Sequence, residues 1–199
     1  WPVKTTDIKS AFLQGKEIER DVYVVPPKEA QSGPWKVWKF RKSLYGLNDA
    51  ARQFYNCVEE ELQKLGVIRS NIDPALFKFM KNGEVVGILA THVDDFIHCG
   101  EVVFEEVMEK LRNRLIAGKV EEGVFSYVGF DIKQEKDGIV LDQSRYMKEL
   151  STEEIKPQRA REKQDSLTKD EHKKFRSLVG KCNWASRGCR PDVAFDVID

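Results

Sequence analysis

The chain has 199 residues, with 33 basic and 33 acidic side chains, 41% hydrophobic content and 33% charged content. That is one large domain or two small ones of ordinary soluble composition, long enough to bury a core. No apolar run approaches the ~18 residues of a membrane span, and no apolar segment marks a signal peptide.

The cysteines at 57, 99, 182 and 189 form no C-x-x-C pair, so a zinc site has little support and free thiols are expected. Zero net charge gives no global case for nucleic-acid binding. Locally, residues 148–190 hold 12 Lys/Arg against 7 Asp/Glu, the balance either of a phosphate-facing surface or of a solvated helix. The chain begins at Trp1, and we read it as part of a longer reading frame.

In chain order, "VKTTDI" (3–8) reads as a short strand running into a helical turn over "KSAFLQG". "DVYVVPP" (21–27) alternates and stops at two prolines, and "PWKVWKF" (34–40) alternates again. Residues 47–66 predict a helix, because Phe54, Val58, Leu62 and Leu65 recur at helical spacing and Gly66 suits its C-terminal end. Residues 75–93 predict a hairpin turning at Asn82-Gly83, followed by the short strand "FIHC". Residues 101–115 predict an amphipathic helix with Phe104, Val107, Met108, Leu111 and Leu115 on its apolar face. A second hairpin is expected over 123–143, and a polar, irregular boundary over 151–166. Thr168 and Glu171 stand at capping-box spacing before a helix over 168–187, and Pro191 suits the first turn of one more. The order predicts an α+β domain with an antiparallel sheet, then a small helical subdomain.

"LATHVDDFIHCG" (89–100) sets two acids, Asp94 and Asp95, between apolar runs. Neighbouring strand residues point to opposite faces, so the pair can serve one site only from a tight bend, expected at Asp94-Asp95. Two carboxylates there suit a hard divalent cation such as Mg²⁺, with Asp7, at the end of an apolar strand, as a third. A polar turn without ligand is the plainer reading of "VDD" alone. His98 and Cys99 read as strand residues.

Five motifs in order then carry a resemblance. "TDIKSAFLQG", "VWKFRKSLYGLNDAARQFY", "HVDDF", "SYVGFDI" and "FRSLVGKCNWASRGCRPDVAF" resemble the successive motifs of the reverse transcriptase domain of copia-type long-terminal-repeat retrotransposons. The resemblance implies a right-hand polymerase: palm with partial fingers over 1–150, thumb and start of a connection over 151–199. It implies RNA-directed DNA synthesis by two-metal nucleotidyl transfer from a dNTP to the primer 3′-hydroxyl, with Asp7, Asp94 and Asp95 as catalytic metal ligands for two Mg²⁺ ions, Mn²⁺ being an alternative.

By the same resemblance, Ile8, Lys9, Ser10, Ala11, Phe12, Tyr45, Gly46 and Lys119 would line the nucleotide. Phe12 would sit under the sugar and exclude a 2′-hydroxyl. His92, Val93, Tyr127, Val128, Gly129, Phe130 and Arg52 would meet primer and template; Arg41 and Lys42 lie nearby. Expected partners are the RNA and DNA template-primer, dNTPs and the fingers, ribonuclease H and integrase parts of a Pol polyprotein, in a cytoplasmic virus-like particle and without a membrane. This sequence departs from the family at His92, which replaces Tyr, and at Asn48-Asp49 and Ala51. Asp49 adds a negative charge where template or nucleotide would pass. The alternative reading is an inactive remnant that at most binds nucleic acid.

Overall fold

The structure, a computed structural model, describes residues 1–30, 33, 35–151, 159 and 166–198. It has mixed helix and sheet, in two compact units, Trp1–Val128 and Gly129–Asp199. None of its described helices is long and apolar enough to cross a membrane.

In the first unit, β1 (Lys4–Ile8) leads into the one-turn helix α1 (Ala11–Gln14). A two-stranded ribbon follows, β2 (Tyr23–Val24) with β3 (Trp38–Lys39). Then come α2 (Ala50–Lys64), β4 (Val67–Arg69), β5 (Leu76–Lys81), β6 (Glu84–His92), β7 (Asp95–Gly100), α3 (Val102–Arg114), β8 (Ala117–Glu122) and β9 (Val124–Tyr127). Six strands form one antiparallel sheet in the order β4-β5-β6-β7-β1-β8.

The expected helices form, each a residue or more shorter than its apolar period, and Gly66 follows α2 with φ 79°. The turn between β5 and β6 falls on Asn82-Gly83, both at positive φ (52° and 86°), the signature of a type I′ turn. Strands β4 and β8 lie outside the expected elements. At three residues β4 is too short for a pattern. The edge strand β8, "AGKVEE", carries charge in place of alternating apolar residues. The region expected as one hairpin over 123–143 breaks at Val128-Gly129, where both φ angles are positive (46° and 80°).

The core lies on one face of the sheet. Ile8, Phe77, Leu89 and Phe96 meet Phe54, Val58 and Leu62 of α2 and Phe104, Met108 and Leu111 of α3. Along β7 the alternation is regular: Phe96, His98 and Gly100 are buried, and Asp95, Ile97 and Cys99 turn to the opposite face. His98 and Cys99 are therefore strand residues, as expected. One detail couples α3 to the sheet. Gly87 and Gly100 are cross-strand partners, and the fully buried ring of Phe104 fills the hollow above them.

The buried His98 faces Glu105, with Nε2 3.4 Å from Oε1, while Lys4 Nζ donates to the other carboxylate oxygen at 3.1 Å. Burial holds the His98 imidazole below its ordinary value, and the Glu105 charge opposes that only in part. The unfolded chain takes up this proton near pH ~6.5, whereas the native chain resists it. The His98 contribution to stability is therefore present above pH ~6.5 and is lost as pH falls toward the depressed native value. Thermal melts from pH 7.5 to 5.5 are expected to show Tm falling with acid, with a smaller slope in His98→Leu. An equal slope in the two proteins overturns the assignment.

In the second unit, β10 (Phe130–Glu135) and β11 (Gly138–Asp142) form a hairpin, followed by the short helix α4 (Ser144–Glu149). The expected boundary over 151–166 lies almost wholly outside the described residues. The long helix Lys169–Arg187 opens on the expected capping box: Glu171 N–H donates to Thr168 Oγ1, and Thr168 N–H donates to Glu171 Oε2. A 3₁₀ turn at Pro191–Val193 leads into the terminal helix Ala194–Ile198.

Candidate functional site

The acids meet through strand register. β1 pairs with β7 so that Asp7 stands directly opposite Asp95. Directly opposed residues project to the same face, and here that face is the one α2 and α3 leave uncovered. The β6–β7 turn differs from the expected bend. His92 pairs with Asp95, so the turn residues are Val93 and Asp94, and Asp95 already belongs to β7. One position of register decides this, because only Asp95 at the head of the strand can oppose Asp7. The Ile8 N–H donates to the Asp94 carbonyl at 2.8 Å, fastening the turn to β1.

Val93 takes φ 58° at the first turn position, a conformation a β-branched residue adopts at a cost of about 1–3 kcal/mol. Ser10, three residues after Asp7, is also left-handed at φ 49°. Strain thus brackets the acids on both sides.

Asp7 is exposed and Asp94 and Asp95 are half-buried. Burial raises the Asp95 carboxyl above the usual carboxylate range, the charges of Asp94 and Asp7 raise it further, and His92 opposes them. The three carboxylates therefore share one field. Among the described residues no group of three or more His, Cys, Asp or Glu side chains forms a ready metal cage. As a donor set, three hard oxygen ligands fit Mg²⁺ or Mn²⁺ in kind.

The other side of Asp7 is a β-bulge. Between the pairs Thr6↔Val120 and Ile8↔Ala117, Asp7 opposes two residues, Gly118 and Lys119. The buried Thr6 hydroxyl lies 3.5 and 3.4 Å from their carbonyl oxygens. A Cβ on Gly118 would come within 3.2 Å of the Asp7 carbonyl oxygen. Lys119 is exposed beside this bulge.

Ile8 and Ala11 are fully buried and serve the core, whereas Lys9 and Ser10 are exposed. Phe12 on α1 and Tyr45 touch ring to ring, with centroids 4.5 Å apart at 53°. Gly46 holds φ 96° with open space around it, which suits close approach of a ligand to backbone. Arg41 and Lys42 follow β3, where the Ile18 N–H donates to the Arg41 carbonyl and the backbones of Lys42 and Glu17 form an isolated antiparallel bridge. Asp49 is not a bare charge: Arg20 Nη2 donates to its Oδ1 at 2.6 Å, so the guanidinium offsets the carboxylate.

Arg52, His92 and Val93 share a largely apolar groove of about 410 Å³ with Tyr55, Thr91 and Phe96, beside the acid turn. Burial, reinforced by the Asp95 charge, pushes the Tyr127 phenol up to about 12. Val128 ends the first unit, and Gly129 and Phe130 belong to the second, where both lie against Trp184. Thr6, Gln14 and Gly118 were not legible as site residues, since each acts through backbone contacts that composition and spacing do not signal.

The paired strands thus set Asp7 opposite Asp95, with Asp94 in the adjoining turn. The family described as reverse transcriptase (RNA-dependent DNA polymerase) matches residues 1–155, and the chain belongs to it. It is similar to the retrovirus-related Pol polyprotein from transposon RE1 of Arabidopsis thaliana, 31% identical over 154 residues, covering 75% of this chain and 10% of that polyprotein. The RE2 polyprotein of the same plant is 29% identical over 154 residues, with the same coverage. The TNT 1-94 polyprotein of Nicotiana tabacum is 32% identical over 103 residues, covering 50% of this chain and 8% of its own length. The chain thus spans about a tenth of the curated Arabidopsis polyproteins it matches.

Proposed function

We propose that this chain carries the nucleotidyl-transfer centre of an RNA-directed DNA polymerase of a copia-type retroelement. Residues 1–150 form its palm with part of the fingers, and 151–199 its thumb and the start of a connection. The observation that carries the reading is the register that sets Asp7 opposite Asp95, with Asp94 in the adjoining turn.

Asp7, Asp94 and Asp95 would hold two Mg²⁺ ions, which when bound supply Lewis-acid stabilisation to the transferred phosphoryl group. The chain's own residues do the rest. The Ile8–Asp94 backbone bond keeps the acids of two strands moving as one. Phe12, backed by Tyr45, offers a ring under the sugar of the incoming nucleotide, and Gly46 lets backbone approach it. Lys119 brings positive charge to the rim beside Asp7. The groove with Arg52, His92 and Val93 would receive the template-primer, with Tyr127 through Phe130 following the primer strand.

In the second unit, Lys169, Lys173, Arg176, Ser177, Gly180, Trp184 and Arg187 recur at helical spacing and are all exposed. The ion pairs Lys174–Asp170 and Arg159–Glu171 lie off that stripe. A cationic face with a small-residue notch suits a sugar-phosphate backbone.

The test is primer extension on an RNA template with dNTPs and Mg²⁺, beside the double variant Asp94→Asn/Asp95→Asn. Extension that disappears in the variant is the expected result. A folded chain that binds primer-template and extends nothing would leave only a nucleic-acid-binding remnant.

A further inference from the structure

We propose that Gln14 is a positioning residue for sugar selection: it fastens the one-turn helix that carries Phe12 to the start of β8. The inference rests on the reading of Phe12 as the ring beneath the nucleotide sugar.

Helix α1 is poorly held by its own bonds. It is four residues long, its N-terminal neighbour Ser10 is left-handed, and no side chain caps it. Its turn closes through the Leu13 N–H, which donates to the Ser10 carbonyl at 2.9 Å. An isolated turn of this length has no stability in water. Its ring must nevertheless stay within a few tenths of an ångström to tell a hydrogen from a hydroxyl on a sugar.

The Gln14 amide supplies the missing anchorage. Its Nε2 donates to the Lys9 carbonyl at 2.5 Å and to the Ile116 carbonyl at 3.2 Å, and its Oε1 accepts from the Ile116 N–H at 2.7 Å. The side chain thereby imitates a strand neighbour, taking both the donor and the acceptor of Ile116. The Lys9 N–H already donates to the Ile116 carbonyl at 2.9 Å. One amide therefore spans the left-handed turn at Ser10 and joins it to the segment after α3. Two carbonyls and one N–H surround it, so the network fixes which end of the amide is nitrogen. Gln14 is two residues past Phe12 and touches no part of the proposed nucleotide position. Its effect must pass through the placement of the Phe12–Tyr45 ring pair.

Gln14→Glu is the decisive substitution, because it keeps the shape and the acceptor but turns both donor contacts into oxygen facing oxygen. Gln14→Met, of similar reach with neither donor nor strong acceptor, guards against an effect of charge alone. Phe12→Val tests the underlying reading. The readout is the preference for dNTP over rNTP, measured as incorporation and, independently of chemistry, as competition against a fluorescent nucleotide on the chain bound to primer-template.

In both Gln14 variants the preference is expected to fall about tenfold, while overall Tm changes little and dNTP handling is largely kept. A general loss of structure would weaken both nucleotides together and leave their ratio unmoved, and that result overturns the proposal. So does a ratio unchanged in the Gln14 variants while Phe12→Val relaxes it, and in that case the reading of Phe12 stands. If the unaltered chain shows no preference, or Phe12→Val leaves it intact, the reading of Phe12 fails and the proposal with it.

Discussion

Gly87→Ala is expected to cost about 3 kcal/mol, the upper end of overpacking, and to lower Tm by about 10 °C for a chain of this size. A Cβ on residue 87 would lie 2.1, 2.3 and 2.6 Å from Phe104 ring atoms, distances that no real contact tolerates. The ring has nowhere to retreat. It is stacked on Phe79 at 5.8 Å, met edge-on by His98 at 6.3 Å, and fully buried. Gly100 across the ladder is equally confined, since a Cβ there would meet Phe104 at 2.6 Å and the Val86 carbonyl oxygen at 2.8 Å. A double-mutant cycle separates this steric account from ordinary strand propensity. Phe104→Ala alone should cost about 3–5 kcal/mol through its cavity, but in the Gly87→Ala background it removes the clash as well as the packing. The double variant should therefore lose clearly less than the two singles together. Additive losses measured by urea unfolding would show that the glycine acts through backbone freedom.

Asp7→Asn is expected to abolish primer extension, by on the order of 10³-fold or more if the carboxylate binds the catalytic ions, and yet to leave the fold slightly more stable. The second half follows from the field of the acids. Asp95 titrates above an ordinary carboxylate because of burial and then the charges of Asp94 and Asp7. A raised acid pKa means that the native chain holds its proton more tightly than the unfolded chain. Stability therefore declines as pH rises from the unfolded carboxylate value through the native one, and the repulsion is fully present above the native value. Asn in place of Asp7 removes part of it. Melting in metal-free buffer should show Tm equal to or above that of the unaltered chain, and added Mg²⁺ should stabilise the unaltered chain more than the variant. A large fall in Tm would mean that Asp7 serves the fold in its own right.

The residues that announce this site in sequence are those whose chemistry is costly anywhere else. Adjacent acids between apolar runs stand out, although alone they read as a polar turn, and only the set of five motifs in order gave Asp94 and Asp95 a chemical role. The helices and the first hairpin were legible for a similar reason: the spacing of Phe54, Val58 and Leu62, and the pair Asn82-Gly83, each admit few backbones. Register was not legible. The bend assigned to Asp94-Asp95 lies on Val93-Asp94, because pairing with a strand near the start of the chain outweighs the preference of valine against positive φ. Strand β8 escaped because an edge strand needs no alternating apolar face. The charge on Asp49 looked disruptive, since its partner Arg20 lies 29 positions away along the chain and no local pattern joins them. Gln14 acts on backbone, and backbone carries no sequence label.

Strand β1 sits inside the sheet, between β7 and β8, and the pairs Lys4↔His98 and Lys4↔Glu122 tie the first residues to ones far along the chain. These are contacts of high sequence separation, whose loop closure must come before any ladder bond rewards it. During synthesis β1 emerges well before β7 and β8, and both of its edges stay unpaired until those strands have followed. The hairpins and α2 can form as they emerge, but the acids cannot meet until β7 and β8 enclose the waiting strand. Meeting of the acids thus waits on contacts of high sequence separation, and exposure of β1 in the interval makes it a segment a chaperone would need to shield.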